Sequence, residues 1–156
     1  MRVTVLSLGH RMPGWIQEGW NEYARRMPPE IRLELVELKP EERGGGRAVE
    51  RARELEGERV LAALPASGTL IALDERGKAV STQGLSVMLA EWMRDGSHPV
   101  FAIGGADGHA EAVRTRADKL FSLSALTLPH GLVRVVLAEQ LYRAWTILAR
   151  HPYHRE

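Results

Sequence analysis

The sequence predicts an α/β fold in which helices cover both faces of a mostly parallel β-sheet. Short apolar, β-branched runs alternate with helical patterns along the 156 residues, as in chains built from strand–helix–strand units. The runs 70–73 and 100–103 are continuously apolar, which is typical of strands that are buried on both faces. No repeat, low-complexity tract or linker divides the chain, so residues 1–156 are predicted to form a single domain.

The first half of the chain contains two predicted strands and two predicted helices. Residues 2–8 form an apolar run, and residues 31–38 alternate between apolar and charged side chains, so both are predicted strands. Residues 13–27 carry apolar side chains at helical spacing and are followed by two prolines. The charged, amphipathic stretch 47–64 is the second predicted helix. The loop at 39–46 contains three glycines, but no Gly-Lys-Ser/Thr of a phosphate loop follows.

The second half continues this alternation of strands and helices. The predicted strands are 68–74, 99–105 and 119–124, and the predicted helices are 81–96, 109–117 and 132–150. The helix at 81–96 begins with a serine or threonine N-cap. The stretch "ALTLPHG" connects the last strand to the longest helix.

Composition and charge exclude several classes of protein. The chain has 21 Lys and Arg against 20 Asp and Glu, a formal net charge of +1, which is not the broad positive field of a non-specific nucleic-acid binder. It has no cysteine, so disulfides and thiolate metal sites are excluded. No run approaches the roughly 18 apolar residues of a membrane span, and the start lacks the core of a signal peptide. We therefore expect a cytoplasmic protein.

The loops after Leu73, Ile103 and Leu123 are the candidate ligand-binding loops, because ligands of parallel α/β sheets bind at the carboxyl ends of strands. The second loop, "IGGADG", can bring its backbone close to a ligand, or it can be only a tight turn. A dinucleotide motif is disfavoured because Ala106 and His109 occupy its second and third glycine positions. The third loop, "LSALTLPHG", is apolar and uncharged, and it can wrap a flat group such as adenine or be a buried connector.

The six histidines do not form a recognisable metal-binding motif. His151 and His154 are three residues apart, but no further ligand lies near them at metal-binding spacing, and the sequence contains no H-E-x-x-H. We therefore expect no metal site. The absence of G-x-S-x-G also disfavours a serine hydrolase.

Four stretches carry a resemblance to a known family: "LDERGK", "FAIGGADG", "SLSALTLPHGLVRVVLAEQLYRAW" and the terminal "PYHRE". Together they resemble the RlmH family of the SPOUT superfamily, the methyltransferases that modify N3 of pseudouridine 1915 in 23S rRNA. The resemblance covers essentially the whole chain. It implies an α/β domain with a C-terminal trefoil knot, which is a rare exception to unknotted folding. It also implies a homodimer whose neighbouring subunit helps to complete the active site, and an assembled ribosome as the substrate.

The resemblance further implies S-adenosyl-L-methionine as the cofactor. The residues that match the family's cofactor-binding positions, with Gly105 added from the same turn, are Leu73, Gly104, Gly105, Leu123, Ser124, Ala125, Leu126, Thr127 and Leu128.

The remaining candidate residues concern proton transfer and RNA. His130 titrates near neutrality and is the candidate general base, although it can instead cap or pack the last helix. His154 is the competing base. In the tail, Tyr153 can stack on a splayed base and Arg155 can hold a phosphate or the edge of the base. The candidate RNA-binding residues on the last helix, which can also be solvated surface, are Arg143 and Arg150.

Two alternative functions stay open at this point. The same fold can methylate another RNA, or it can serve as a non-catalytic ribosome-assembly factor. A flavodoxin-type nucleotide-binding domain is disfavoured by the missing phosphate loop.

Overall fold

Five parallel strands form one sheet, and helices pack on both of its faces. The computed structural model describes residues 1–43 and 48–154. The strands are β1 (Arg2–Leu8), β2 (Arg32–Leu38), β3 (Gly68–Ala79), β4 (His98–Ile103) and β5 (Lys119–Ser122). The helices are α1 (Gly14–Ala24), α2 (Val49–Ala63), α3 (Thr82–Asp95), α4 (Glu111–Arg116) and α5 (His130–Leu148).

The sheet has the strand order β2-β1-β4-β3-β5, and every neighbouring pair is parallel. The carboxyl ends of the strands therefore lie along one edge, which we call the carboxyl edge. This architecture confirms the predicted α/β fold with its mostly parallel sheet. The predicted trefoil knot concerns the threading of the chain and stays a prediction.

The sheet separates two apolar cores, because alternate residues of each strand point to opposite faces. Helices α1, α3 and α5 cover the face that carries Val3, Val5, Ile71, Phe101 and Ile103. Helices α2 and α4 cover the face that carries Leu6, Leu8, Leu70, Ala72, Val100 and Ala102. The helices that follow the neighbouring strands β3 and β4 thus leave on opposite faces, which opens a crevice at the carboxyl edge.

Most elements differ from their predicted bounds by a few residues, and for β3 and α5 the structure shows the reason. Strand β3 was predicted to end at residue 74 but continues to Ala79, because its register with β5 shifts between Leu73 and Lys78 and pairing then resumes. Helix α5 begins at His130 and not at 132, since the carbonyl of Pro129 already accepts the first helical hydrogen bond from Val133 at 3.0 Å. Part of the predicted loop 39–46 and the predicted start of the second helix lie outside the described residues.

None of the helices in the described ranges is long and apolar enough to cross a lipid bilayer.

Candidate functional site

A cleft of about 560 Å³ opens at the carboxyl edge of the sheet. Its volume lies in the range of pockets that hold small molecules and cofactors. Three segments line it: the residues after the buried part of β3, the turn after β4, and the loop from β5 to the first turns of α5. These are the three loops that the strand-end rule predicted from the sequence.

The turn after β4 brings bare backbone to one wall of the cleft. A methyl group placed on Gly104 would lie 3.0 Å from the carbonyl carbon of Gly108 and 3.2 Å from the backbone nitrogen of His109. The turn is closed by a hydrogen bond of 3.1 Å from the Gly108 N–H to the Gly105 carbonyl. A side chain on Gly104 would therefore force this tight turn to shift by a few tenths of an ångström. With glycine there, a ligand in the cleft contacts the backbone.

The loop between β5 and α5 forms an uncharged wall. Its backbone is held by Ser124, whose hydroxyl accepts a hydrogen bond of 2.9 Å from the Leu126 N–H. The carbonyl of Ser124 in turn accepts from the Ser122 hydroxyl at 3.0 Å. Leu126 itself is 74% exposed. Because residues 123–129 contain no charged side chain, this wall suits a flat heteroaromatic group that is recognised through backbone polar atoms.

A carboxylate lies on the β3 side of the cleft. Asp74 is largely buried and forms an ion pair of 3.1 Å with Arg114 of α4. Burial alone would raise the pKa of Asp74, but the Arg76 backbone N–H at 2.8 Å and the guanidinium of Arg114 outweigh it and lower the pKa. Asp74 is therefore ionised at neutral pH. With the exposed Glu75 beside it, it gives the cleft an acidic side.

His130 stands at the rim of the cleft, on the first residue of α5. Its ring packs against the loop after β1, because a methyl group on Gly9 would lie 3.2 Å from its Cδ2 and Nε2 atoms. Partial burial lowers the pKa of His130, the nearby Arg134 lowers it further, and Glu56 opposes both. The imidazole is thus neutral at pH 7 and has a free lone pair, as a general base requires.

His109 is a second histidine that lines the cleft, and it is 5% exposed. Its Nε2–H donates to the carbonyl of Ala102 at 3.1 Å, so Nδ1 carries the lone pair. That Nδ1 atom is buried and has no hydrogen-bond partner among the described residues. Burial lowers the pKa of His109, in keeping with a neutral ring.

A network of ion pairs and hydrogen bonds holds the turn after β4 in place. The carboxylate of Glu56, which is 1% exposed, accepts hydrogen bonds from the Glu41 backbone N–H at 3.0 Å and from Arg43 at 3.0 and 3.2 Å. Arg43 also pairs with Asp107 at 2.7 Å. These hydrogen bonds to Glu56 and Asp107 raise the pKa of Arg43. The network therefore ties the segment after β2 to the turn that borders the cleft.

The structure brings most of the predicted cofactor-binding residues together. Those that line the cleft are Leu73, Gly104, Gly105, Leu123, Ser124, Leu126, Thr127 and Leu128. Ala125 belongs to the same loop but is not among the lining residues. Three further residues line the cleft that were not predicted from the sequence: Asp74, Glu75 and His109. Asp74 directly follows Leu73, so the rule that ligands bind at the carboxyl ends of strands could have identified it.

The tail residues lie elsewhere, on the C-terminal half of α5. The Tyr153 ring packs edge-on against Tyr142 with centroids 4.7 Å apart, and its hydroxyl donates to Glu139 at 3.4 Å. Burial, followed by the Glu139 charge, raises the pKa of Tyr153 to about 12. His154 Nδ1 lies 3.3 Å from the hydroxyl of Thr146. Within one chain, neither Tyr153 nor His154 lines the cleft.

The three candidate arginines have different surroundings. Arg143 forms an ion pair with Glu139, four residues earlier on α5, at 2.9 Å from Nε, and its guanidinium also lies over the Tyr153 ring at 5.1 Å. Arg150 is exposed and has φ +55. The helix was predicted to extend to residue 150, but α5 ends at Leu148, so Arg150 lies just beyond the helix that carries Arg143. Arg155 lies outside the described residues.

No group of three or more possible metal-binding side chains occurs within residues 1–43 and 48–154. The described site instead combines bare backbone, an uncharged loop, an acidic side and a neutral histidine at the rim. Together with the parallel sheet, it defines an α/β protein with a cleft of ligand size at the carboxyl edge, where proteins of this architecture bind small ligands.

Comparison with known proteins identifies the family to which this α/β protein belongs. A family model described as "Predicted SPOUT methyltransferase" matches residues 1–154. "Ribosomal RNA large subunit methyltransferase H" of Ralstonia pickettii (strain 12J) is 54% identical over 155 residues, which is 99% of both chains. Proteins of the same name from Burkholderia mallei (strain SAVP1) and Burkholderia multivorans (strain ATCC 17616 / 249) are each 53% identical over 155 residues, again 99% of each chain. The chain belongs to the SPOUT methyltransferase family, and the resemblance to the RlmH family is confirmed.

Proposed function

We propose that this enzyme transfers a methyl group from S-adenosyl-L-methionine to N3 of pseudouridine 1915 in the 23S rRNA of assembled ribosomes. The observation that carries the proposal is the match to relatives named large-subunit rRNA methyltransferase H, at 54% identity over 99% of both chains. We further propose that residues 1–156 form one catalytic domain and act in the cytoplasm, where ribosomes are assembled.

The residues of the cleft fit this methyl donor. The uncharged loop 123–129 matches a purine, whose ring nitrogens can bond to backbone groups. The ionised Asp74 and the exposed Glu75 match a ligand with positive charge, which the donor carries on its sulfonium and its ammonium. The bound donor supplies an electrophilic methyl group. The protein's part is to hold donor and target nucleoside close and aligned.

His130 is the proposed general base for the N3 proton of the target base. It lies at the rim of the cleft, and burial keeps its pKa below the usual value, so its lone pair is available at neutral pH. A positioned base contributes typically about 10²–10⁴-fold to a proton-transfer step. His154 stays the competing candidate, to be contributed by a second copy of the chain.

We propose a homodimer because the tail cannot reach the cleft of its own chain in the described arrangement. Val133 is the last α5 residue at the cleft, and Tyr142, which holds Tyr153, lies roughly 14 Å further along the helix axis. Leu132, Val136 and Ile147 share one side of α5 by helical spacing and are only partly buried. A second chain packed on this side would bury them, and it can bring its own tail to the cleft.

In this dimer the tail and the arginines contact the RNA. Tyr153 stacks on or orients the target base, and Arg155 holds a phosphate or the base edge. Arg143, on the C-terminal part of α5, and Arg150, just beyond its end, contribute phosphate contacts. A short chain with a net charge of +1 needs such local contacts, because it has no broad positive field.

The test is methyl transfer itself. The purified protein is incubated with labelled S-adenosyl-L-methionine and with ribosomes that lack this modification, in parallel with free large subunits and free tRNA. The RNA is digested and its nucleosides are identified by mass. N3-methylpseudouridine from assembled ribosomes supports the proposal. Label in another RNA identifies a different substrate, and donor binding without any transfer contradicts the enzymatic proposal.

A further inference from the structure

We propose that residues 9–15, the loop after β1 with the first turn of α1, form an RNA-recognition surface beside the cleft. In this surface Trp15 stacks on an unpaired base of the rRNA, and Arg11 contacts a phosphate. The proposal rests on the function proposed above and names a part of the site that neither the tail nor α5 supplies.

The position of this segment is fixed by its contacts with the start of α5. Strand β1 neighbours β4, and both end at the carboxyl edge, so the loop after β1 lies beside the glycine turn of the cleft. Gly9 packs against the His130 ring, and the sulfur of Met12 lies 3.2 Å from where a methyl group on Gly131 would be. His130 is therefore placed between residues 9–15 and the cleft, where a target base must lie to react.

The side chains of this segment are free to bind a partner. Trp15 is 58% exposed, whereas Trp20 and Trp92 are 5% and 7% exposed in the core. A single exposed aromatic ring is not by itself a binding site, but Trp15 lies next to the cleft and beside an arginine with positive φ. His10 and Arg11 are also exposed, and neither side chain has a hydrogen bond or ion pair with another described residue.

The backbone of the loop has an uncommon conformation, and hydrogen bonds anchor it at Gly9. Arg11 has φ +55, which is rare for a residue other than glycine, and Gly9 has φ +150. The Gly9 N–H donates to the Leu38 carbonyl at 2.9 Å, and the Gly9 carbonyl accepts from the buried Arg134 at 3.2 Å. Such strain persists only where the surroundings enforce it, and it is concentrated at functional sites. Arg11 and Trp15 are thus presented to solvent by an anchored loop.

Charge favours a nucleic acid as the occupant. Exposed Lys39 follows β2, the neighbour of β1, so Lys39, His10 and Arg11 lie along the same stretch of the carboxyl edge. The nearest carboxylate on β2, that of Glu37, is already paired with Arg134 at 2.8 Å. Arg11 and Lys39 supply positive charge on the β1 side of Trp15, and the exposed Glu18 lies one helical turn after it on α1. An exposed aromatic ring with cationic side chains nearby can bind single-stranded RNA, by stacking on a base and contacting a phosphate.

The test compares wild type with Trp15→Ala, Trp15→Phe and Arg11→Ala. Binding to ribosomes that lack the modification is measured by co-sedimentation at several salt concentrations. Donor binding is measured by calorimetry. We expect Trp15→Ala to weaken RNA binding about tenfold or more and Trp15→Phe to restore most of it, because loss of one stacked base has effects of this size. Arg11→Ala should reduce the salt slope of binding by about one unit, the mark of one lost phosphate contact.

The controls separate this surface from general effects. Arg32→Ala removes an exposed arginine from the opposite edge of the sheet, and Val87→Ala removes exposed apolar surface from α3. Both controls should bind RNA as wild type does, and every variant should keep wild-type donor affinity. Binding of RNA should also quench the emission of the wild-type protein more than that of Trp15→Phe.

Three outcomes overturn the inference. The first is unchanged RNA binding in Trp15→Ala and Arg11→Ala while wild type methylates ribosomes. The second is conversion of Trp15→Ala to a monomer, which would make Trp15 an interface residue. The third is an equal loss in Arg32→Ala. Failure of wild type to methylate any ribosome while it binds the donor would instead refute the proposed function.

Discussion

Arg134 Nη1 donates to the carboxylate of Glu37 at 2.8 Å, which joins the second turn of α5 to the end of β2. Arg134 is 1% exposed, and its other terminal nitrogen donates to the Ser7 hydroxyl at 2.9 Å and to the Gly9 carbonyl at 3.2 Å. One buried guanidinium thus connects three segments at the carboxyl edge. His130, one turn earlier on α5, depends on the same connection for its position.

Replacing Arg134 should destabilise the protein strongly. Arg134→Met keeps the volume but leaves the buried Ser7 hydroxyl and the Gly9 carbonyl without their donor. We expect the free energy of unfolding to fall by about 3 kcal/mol, as when one partner of a buried pair is removed. Urea denaturation measures it. The control Arg2→Ala breaks the exposed pair with Glu34 at 3.5 Å and should cost less than about 1 kcal/mol. Equal losses in the two variants would contradict a special role for Arg134.

Gly104 should be intolerant of even a small side chain. In Gly104→Ala the methyl group would lie 3.0 Å from the carbonyl carbon of Gly108, so the turn must shift by a few tenths of an ångström. We expect the affinity for S-adenosyl-L-methionine to fall roughly tenfold, which corresponds to about 1.4 kcal/mol. Calorimetry measures it. Gly14→Ala, whose methyl group meets open space at the start of α1, is the control. Unchanged affinity in Gly104→Ala would remove the turn from the cofactor site.

The cleft could be predicted from the sequence because it follows from the order of strands. Apolar runs end at Leu73, Ile103 and Leu123, and parallel pairing places these ends at one edge whatever the details of packing. The hydrophobic pattern alone could not predict the role of the loop around Ser124, because an apolar, uncharged loop can equally be a buried connector. The family resemblance selected it as the cofactor loop.

The positions of the C-terminal tail and of the loop after β1 could not be predicted from the order of strands. Tyr153 lies against α5 because its ring packs on that of Tyr142. The chain turns back after α5 to make this contact, and no local sequence pattern predicts such a turn. Arg11 has an ordinary sequence context, and it follows by two residues Gly9, whose carbonyl is held by Arg134, 125 residues away along the chain. Both depend on tertiary contacts that the sequence does not show directly.

His130 should control the pH dependence of methyl transfer. Burial and Arg134 lower the pKa of His130 below 6.5, so the rate should rise with pH toward that lowered pKa and then level off by pH 7. His130→Asn should reduce the rate about 10²–10⁴-fold and remove this rise while donor binding persists. In Arg134→Met the His130 pKa should move up, since a nearby cation is lost. Single-turnover rates between pH 5 and 8 and histidine NMR titrations are the measurements. A retained pH profile in His130→Asn would assign the proton to another group.

His109 should make the folded protein less stable in acid. Burial lowers its pKa in the folded state, so between the folded pKa and the unfolded value near 6.5 the unfolded chain binds more protons. Stability is therefore fully present above pH 6.5 and is lost as the pH falls toward the folded pKa. His109→Gln can keep the hydrogen bond to Ala102 without titrating. The difference in unfolding free energy between pH 7.5 and 5.5 should be smaller in His109→Gln than in wild type, and an identical difference would exclude His109 as its source.

Complementation should show whose tail completes each cleft. A His130→Asn chain keeps its tail, and a chain lacking residues 152–156 keeps His130, so each homodimer should be nearly inactive although the truncated chain still binds the donor. If the tail acts on the partner's cleft, a heterodimer has one cleft with both parts. An equal mixture that exchanges subunits should then regain about a quarter of wild-type activity, because half of the dimers are mixed and each has one complete cleft of two. If the tail acted on its own cleft, no dimer in the mixture would contain a complete site and the mixture would stay inactive.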